Sequence, residues 1–148
     1  MRIACRFALI LCMTATCSRG ELREEKHPNG QLKSRGHVDH DKDSNQILVG
    51  RWEFFHENGI KNAEGEFQNG SFAGEISNTG IPRNGRDGKW TFWHENGQKK
   101  LITLWENGKT IGLFTSWHEN GQKNTEGNYI DGLQDGNWTN WYDNGTKS

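Results

Sequence analysis

From Gly50 onward the chain alternates between apolar and polar positions with a period of two, the signature of strands with one buried face. Four blocks carry it: "GRWEFFHENG", "GKWTFWHENG", "GLFTSWHENG" and "GNWTNWYDNG", opened by Gly50, Gly88, Gly112 and Gly136. The last two intervals are 24 residues and the first is 38, which places an insertion within 71–86. Each of the first three blocks is followed by a second half, "IKNAEGEFQNG", "QKKLITLWENG" and "QKNTEGNYIDG", with an aromatic eight residues past the turn glycine, at Phe67, Trp105 and Tyr129. Upstream, "HPNGQLKSRGHV" fits the same template in degenerate form, with Gly36 matching Gly65.

Asn-Gly between two alternating runs predicts a β-hairpin closed by a two-residue type I′ turn. The turns then fall at Asn58-Gly59, Asn96-Gly97, Asn120-Gly121 and Asn144-Gly145. The resulting register pairs Glu57 with Ile60, His56 with Lys61, Phe54 with Ala63, Trp52 with Gly65 and Gly50 with Phe67. One face then collects Trp52, Phe54, Ala63 and Phe67; next Trp90, Phe92, Leu101 and Trp105; then Phe114 and Tyr129; and last Trp138 and Tyr142. In this register Trp52 and Phe114 lie across their own hairpin partners, Gly65 and Gly127, so that rings cover bare backbone. A lone hairpin is marginal in water, so the units must stack edge to edge. The expected fold is all-β: an elongated, single meandering antiparallel sheet of tandem hairpins, about four plus a degenerate first one.

Composition supports this. The 148 residues include 19 Gly, 7 Trp and only 2 Pro, which suits aromatic strands joined by tight turns. The formal charge of −1 supplies no basic field for nucleic acid. Cys5, Cys12 and Cys17 all lie in an N-terminal segment with Arg2 and Arg6 ahead of the apolar run 7–13, the pattern of a secretory leader over residues 1–17. Cys17 at its end resembles the lipid-modified cysteine of bacterial lipoproteins, although Thr14 and Thr16 depart from that pattern. Lipid attachment at Cys17 and simple secretion both remain open; either places the chain outside the cytoplasm, with membrane contact only through the anchor. The chain thus divides into a leader, a degenerate repeat and linker over 18–49, and the repeats over 50–148.

The repeated His-Glu invites a chemical reading. Histidines two strands apart stand about 9–10 Å from one another and converge poorly on one metal ion. Glu57, Glu95 and Glu119 beside solvated turns have no means of acquiring a catalytic pKa, and the recurring Lys61, Lys99 and Lys123 suggest cross-strand charge pairs instead. No nucleophile motif or phosphate loop is present, so neither a catalytic residue nor a cofactor or metal ligand is expected. Phe55, Trp93, Trp117 and Trp141 recur at one position on the polar face. They form a ladder that recognises a partner, or rings that brace neighbouring strands; bracing is the simpler role. The insertion, with Arg83, Arg86 and Lys89 around it, reads as a solvated loop or an extra hairpin. Three Asn-x-Ser/Thr sequons, at Asn69, Asn137 and Asn144, matter only in a glycosylating host.

The pattern G-x-W-x-x-W-H-E-N-G-Q-K-x-x-E-G-x-Y resembles the variant MORN repeats over about Gly50 to Ser148, with Gly-x-Trp or Gly-x-Phe where the standard unit opens on Tyr-x-Gly. The resemblance implies an elongated hairpin array used for binding a protein partner. In bacteria such proteins often carry the label of toxin–antitoxin antitoxins, which implies neutralisation of a toxin as the alternative to a scaffold of the cell envelope.

Overall fold

The computed structural model describes residues 20–71 and 80–148. The leader with Cys17, and residues 72–79 of the insertion, lie outside the described residues. Among the described residues, nine strands form one antiparallel sheet in strict sequence order. They are β1 (Glu21–Lys26), β2 (Leu32–His40), β3 (Gln46–Phe55), β4 (Lys61–Gly70), β5 (Arg86–Trp93), β6 (Lys99–Glu106), β7 (Lys109–Trp117), β8 (Lys123–Ile130) and β9 (Leu133–Asn140). Beyond β9, Trp141 and Lys147 form an isolated antiparallel bridge around the last Asn-Gly.

The expected register holds along the strands: Phe54 pairs with Ala63, Trp52 with Gly65 and Gly50 with Phe67. It fails at the turn. The His56 N–H donates to the Ile60 carbonyl at 2.8 Å and the Gly59 N–H to the His56 carbonyl at 2.9 Å, so the loop is Glu57-Asn58-Gly59, three residues long. Within that loop only Gly59 has positive φ, at 81°. This is a type I turn followed by a left-handed glycine that forms a bulge, not a type I′ turn. The bulge absorbs one residue between Phe54 and Phe55, so Phe55 pairs with Lys61 and the predicted His56–Lys61 and Glu57–Ile60 pairs do not exist. Two-residue turns with positive φ at both positions occur at the other end of the sheet, at Asn107-Gly108 (50° and 76°) and Asp131-Gly132 (53° and 82°).

The opening glycines have a second conformational role. Gly50, Gly88, Gly112 and Gly136 share a φ of 62–64°. Each begins a bulge in which three residues face one residue of the preceding strand, as where Glu64 pairs with Thr91 but Glu66 with Asp87. The bulge swings the aromatic two residues later onto that strand. A Cβ on Gly36 would enter the ring of Trp52, one on Gly65 the ring of Trp90, and one on Gly127 the ring of Trp138. Bare glycines are therefore covered, but by the aromatic of the following unit, which corrects the pairing of Trp52 with Gly65 and Phe114 with Gly127 as ring and cover. Trp52 and Trp90 also donate their indole N–H groups to the carbonyls of His37 and Glu66, both at 3.1 Å.

The core is the expected aromatic face: Trp52, Phe54, Ala63, Phe67, Trp90 and Phe92 are buried, with Val38 and Leu48 ahead of them. Rings meet edge-on, as Phe67 and Trp90 do at 4.9 Å and 75°. Tyr142 is not part of it. It takes the position of His56 at the turn, its backbone N–H donating to the Thr146 carbonyl, and is exposed. The insertion is only partly solvated where described: Ile81 and Pro82 are fully buried, while Arg83 and Asn84 are exposed.

The opposite face is charged. Lys61 Nζ lies 2.6 Å from Glu53 Oε1 and 2.7 Å from Glu64 Oε2, while Arg35 and Arg51 close on the same carboxylates at 2.7 and 2.8 Å. The hydrogen bond from Lys61, assisted by Arg35, holds Glu53 below the usual carboxylate range. Burial opposes ionisation of Glu64 and of Lys61, but the shared hydrogen bonds prevail, lowering Glu64 and raising Lys61. The lowered acids contribute stability above their unfolded pKa, near 4.5, and lose it as pH falls through their folded values. The raised ammonium contributes below 10.5 and loses it as pH rises through its folded value. In Lys61→Met the difference from the parent is expected to be about 0.5–1 kcal/mol near neutrality and to vanish below about pH 3. Urea melts at pH 7 and about pH 3 measure it, and a pH-independent difference would remove the network as its cause.

Candidate functional site

The duplicated His-Glu-Asn-Gly is a joint between repeats. His27, His56, His94 and His118 each place Nε2 2.9–3.0 Å from the carbonyl of the next repeat's aromatic: Phe55, Trp93, Trp117 and Trp141. A carbonyl only accepts, so Nε2 bears the proton and donates. Asn29, Asn58, Asn96 and Asn120 use both ends of their amides. Nδ2 donates to the carbonyl of Glu57, Glu95, Glu119 or Asp143 in the next turn, at 2.6–2.9 Å. Oδ1 accepts the N–H two residues on, at 3.0 Å. Gln31, Gln98 and Gln122 lie against Gly59, Gly121 and Gly145 of the following turn. The first of these joints spans β1–β2 to β3–β4, and the second crosses the insertion without a break, because the insertion leaves the sheet at its other end.

This geometry replaces the proposed charge pairs. Lys61 and Lys123 bind Glu53, Glu64 and Glu126 rather than the turn carboxylates, and Glu57, Glu95 and Glu119 stand exposed. Among the described residues, the one turn carboxylate near a histidine is Glu119, 3.9 Å from His94 Nδ1. No group of three or more metal-ligating side chains occurs among the described residues.

Phe55, Trp93, Trp117 and Trp141 fall in line on the charged face, each half-buried. Cations of the neighbouring strands sit over three of them. Arg35 lies 5.9 Å from the Phe55 ring, Lys61 5.7 Å from Trp93, and Lys123 5.1 Å from Trp141. Asn58, Gly59, Asn96, Gly97, Asn120, Gly121, Asn144 and Gly145 all lie in the three-residue turns at one end of the sheet.

On the aromatic face, sequence reasoning missed a pocket of about 310 Å³ between the insertion and β6–β8, lined by Arg83, Arg86, Lys100, Thr103, Trp105 and Tyr129 among others. Arg86 is 4% exposed. Its guanidinium lies over the rings of Trp90, Phe92 and Trp105 at 4.6, 5.2 and 5.0 Å. It donates through Nε to the Pro82 carbonyl at 2.8 Å and through Nη2 to that of Ile81 at 3.2 Å, which pins the end of the insertion to the sheet. Burial, with the charge of Arg83, pulls its pKa down to about 10.

Comparison with known proteins agrees with the repeat. Residues 48–69, 86–107 and 111–131 each match the MORN repeat variant, the three hairpins β3–β4, β5–β6 and β7–β8. No curated protein and no solved structure matches the chain. These three hairpins, built on one turn and one joint, are repeats of the MORN repeat variant.

Proposed function

We propose that this chain is a non-catalytic module that binds a protein partner at the cell envelope. Its MORN repeats make it a repeat-based interaction module in the broad sense. The observation that carries the reading is the joint itself. The repeat's histidines and asparagines, the groups with most chemical capability, are each hydrogen-bonded to the next unit. What recurs is thus a means of extending a surface, and such surfaces serve recognition. The leader pattern and Cys17 support export, with a lipid on Cys17 as the anchor.

Capture from detergent-solubilised envelope, with the chain as bait, tests this. Several envelope proteins are expected; a single toxic partner would make the chain a neutralising protein, and no stable partner would sink the reading. Replacing Phe55, Trp93, Trp117 and Trp141 by serine separates the two roles of the ladder. Lost capture at unchanged melting makes it the contact surface, whereas lowered melting with capture retained assigns it to bracing. Metabolic lipid labelling, lost in Cys17→Ser, checks the anchor.

A further inference from the structure

We infer that the pocket bounded by Arg86, Lys100 and Trp105 is an anion site that receives a carboxylate side chain of an acidic, partly apolar segment of the partner. This rests on the interaction reading above and adds to it a place and a chemistry. Among the described residues, three cations, Arg83, Arg86 and Lys100, line the pocket and no carboxylate does. None of the three forms a salt bridge among the described residues, although the chain as a whole carries a formal charge of −1. A buried guanidinium is stable only when its donors are satisfied and its charge is balanced. The Nε and Nη2 of Arg86 meet carbonyls, but Nη1 meets no acceptor among the described residues.

Two further groups at the pocket lack partners. Thr103 is 2% exposed and its Oγ1 has no hydrogen bond; nor does the buried Nε1 of Trp105, the next lining residue along the same face. Nη1, the indole N–H and the threonine hydroxyl are all donors, and a carboxylate is an acceptor only. Arg86 presents the planar fork that suits it. The walls fix the rest of the ligand. Phe92, Leu101, Phe114 and Tyr129 line the same space, so the carboxylate arrives on an apolar stem with apolar neighbours. A volume of about 310 Å³ suits a side chain better than a large cofactor.

The test is titration of the whole chain with acetyl-Phe-Glu-Leu-amide and its Gln counterpart at low salt, followed through the Trp105 indole N–H resonance. Trp105→Phe identifies that signal. The Glu peptide is expected to shift it at least 10-fold below the concentration that the Gln peptide requires. Arg86 also anchors the insertion, so the diagnostic variants are Lys100→Glu and Thr103→Val, with melting recorded for both. Lys100→Glu is expected to weaken the Glu peptide at least 10-fold and Thr103→Val about threefold, without affecting the Gln peptide. Equal shifts from both peptides, or shifts confined to the indoles of Trp93, Trp117 and Trp141, overturn the site. Saturation by 4-phenylbutyrate at the same concentration as the Glu peptide would make the source a small carboxylate and overturn the partner segment. If neither peptide binds while envelope capture persists, the pocket assignment fails and the interaction reading stands. If the Glu peptide binds but no protein is captured, the interaction reading fails and with it the partner as the source of the carboxylate.

Discussion

Trp90→Ala is expected to lower the unfolding free energy by roughly 3–5 kcal/mol, the largest single-residue loss in the chain. Trp90 has no exposed surface, and it joins more than its own hairpin. It touches Phe67 of the preceding unit at 4.9 Å and Phe92 of its own at 5.9 Å, lies under the Arg86 guanidinium and donates to the Glu66 carbonyl. Truncation would therefore remove ring contacts on two strands, take the indole donor from the Glu66 carbonyl and loosen the insertion's anchor. Because a stacked array is held by nearest-neighbour interfaces, a loss in the middle also uncouples the two halves. Urea unfolding should show a lower midpoint and a shallower slope than the parent. Trp141→Ala, at a half-buried ring on the charged face, is expected to cost less than about 1.5 kcal/mol and leave the slope unchanged. Equal effects of the two substitutions would refute the assignment of the core.

Why were the faces legible in the sequence and the turns only in part? Strand periodicity is two, so Trp52, Phe54, Ala63 and Phe67 declare one face as soon as a hairpin is assumed. The bulge leaves that inference intact, since it shifts pairing only between Phe54 and Phe55. Asn-Gly was misassigned because the local rule favours a two-residue turn, whereas Asn107-Gly108 and Asp131-Gly132 are where that rule applies. The chain holds a correcting signal. In the degenerate first unit Pro28 stands where the others have Glu57, Glu95 and Glu119. Proline favours the second position of a type I turn and glycine the fourth, so His-Pro-Asn-Gly spells a four-residue type I turn with its glycine left-handed. Tyr142 was placed in the core by the same one-residue error.

The joint was half visible. Histidine and asparagine recurring together at fixed spacing indicate a position that is used identically in every unit, but a hairpin-by-hairpin reading looks for partners inside the hairpin. The partners are one unit away, and in one case, His56 to Trp93, an insertion separates them in sequence. The Arg86 pocket was not legible at all. It depends on Ile81 and Pro82 folding back over the sheet, a tertiary arrangement with no periodicity behind it.

Gly65→Ala is expected to destabilise the chain by about 2–3 kcal/mol, against the usual sign for a glycine in a strand. Alanine ordinarily helps there by narrowing the unfolded ensemble. Here the new methyl would enter the ring of Trp90, which is packed on both sides and cannot retreat. The chain itself shows the constraint. Trp52, Trp90 and Trp138 follow Gly36, Gly65 and Gly127 on the preceding strand, whereas Thr103 faces the bulge that carries the smaller ring of Phe114. Gly127→Ala gives the matched control: its cover, Trp138, is half-buried on the otherwise largely exposed strand β9 and has room to tilt, so the loss should be under about 1.5 kcal/mol. The decisive measurement is a double-mutant cycle. In a Trp90→Ala background the methyl introduced by Gly65→Ala would occupy part of the vacated space, so the second substitution should be neutral or slightly stabilising. The two single losses should then exceed the double loss by about 2 kcal/mol or more. Strict additivity would mean that the ring does not lie on Gly65, and the stacking of Trp52, Trp90 and Trp138 on the glycines of the preceding strands would fall with it.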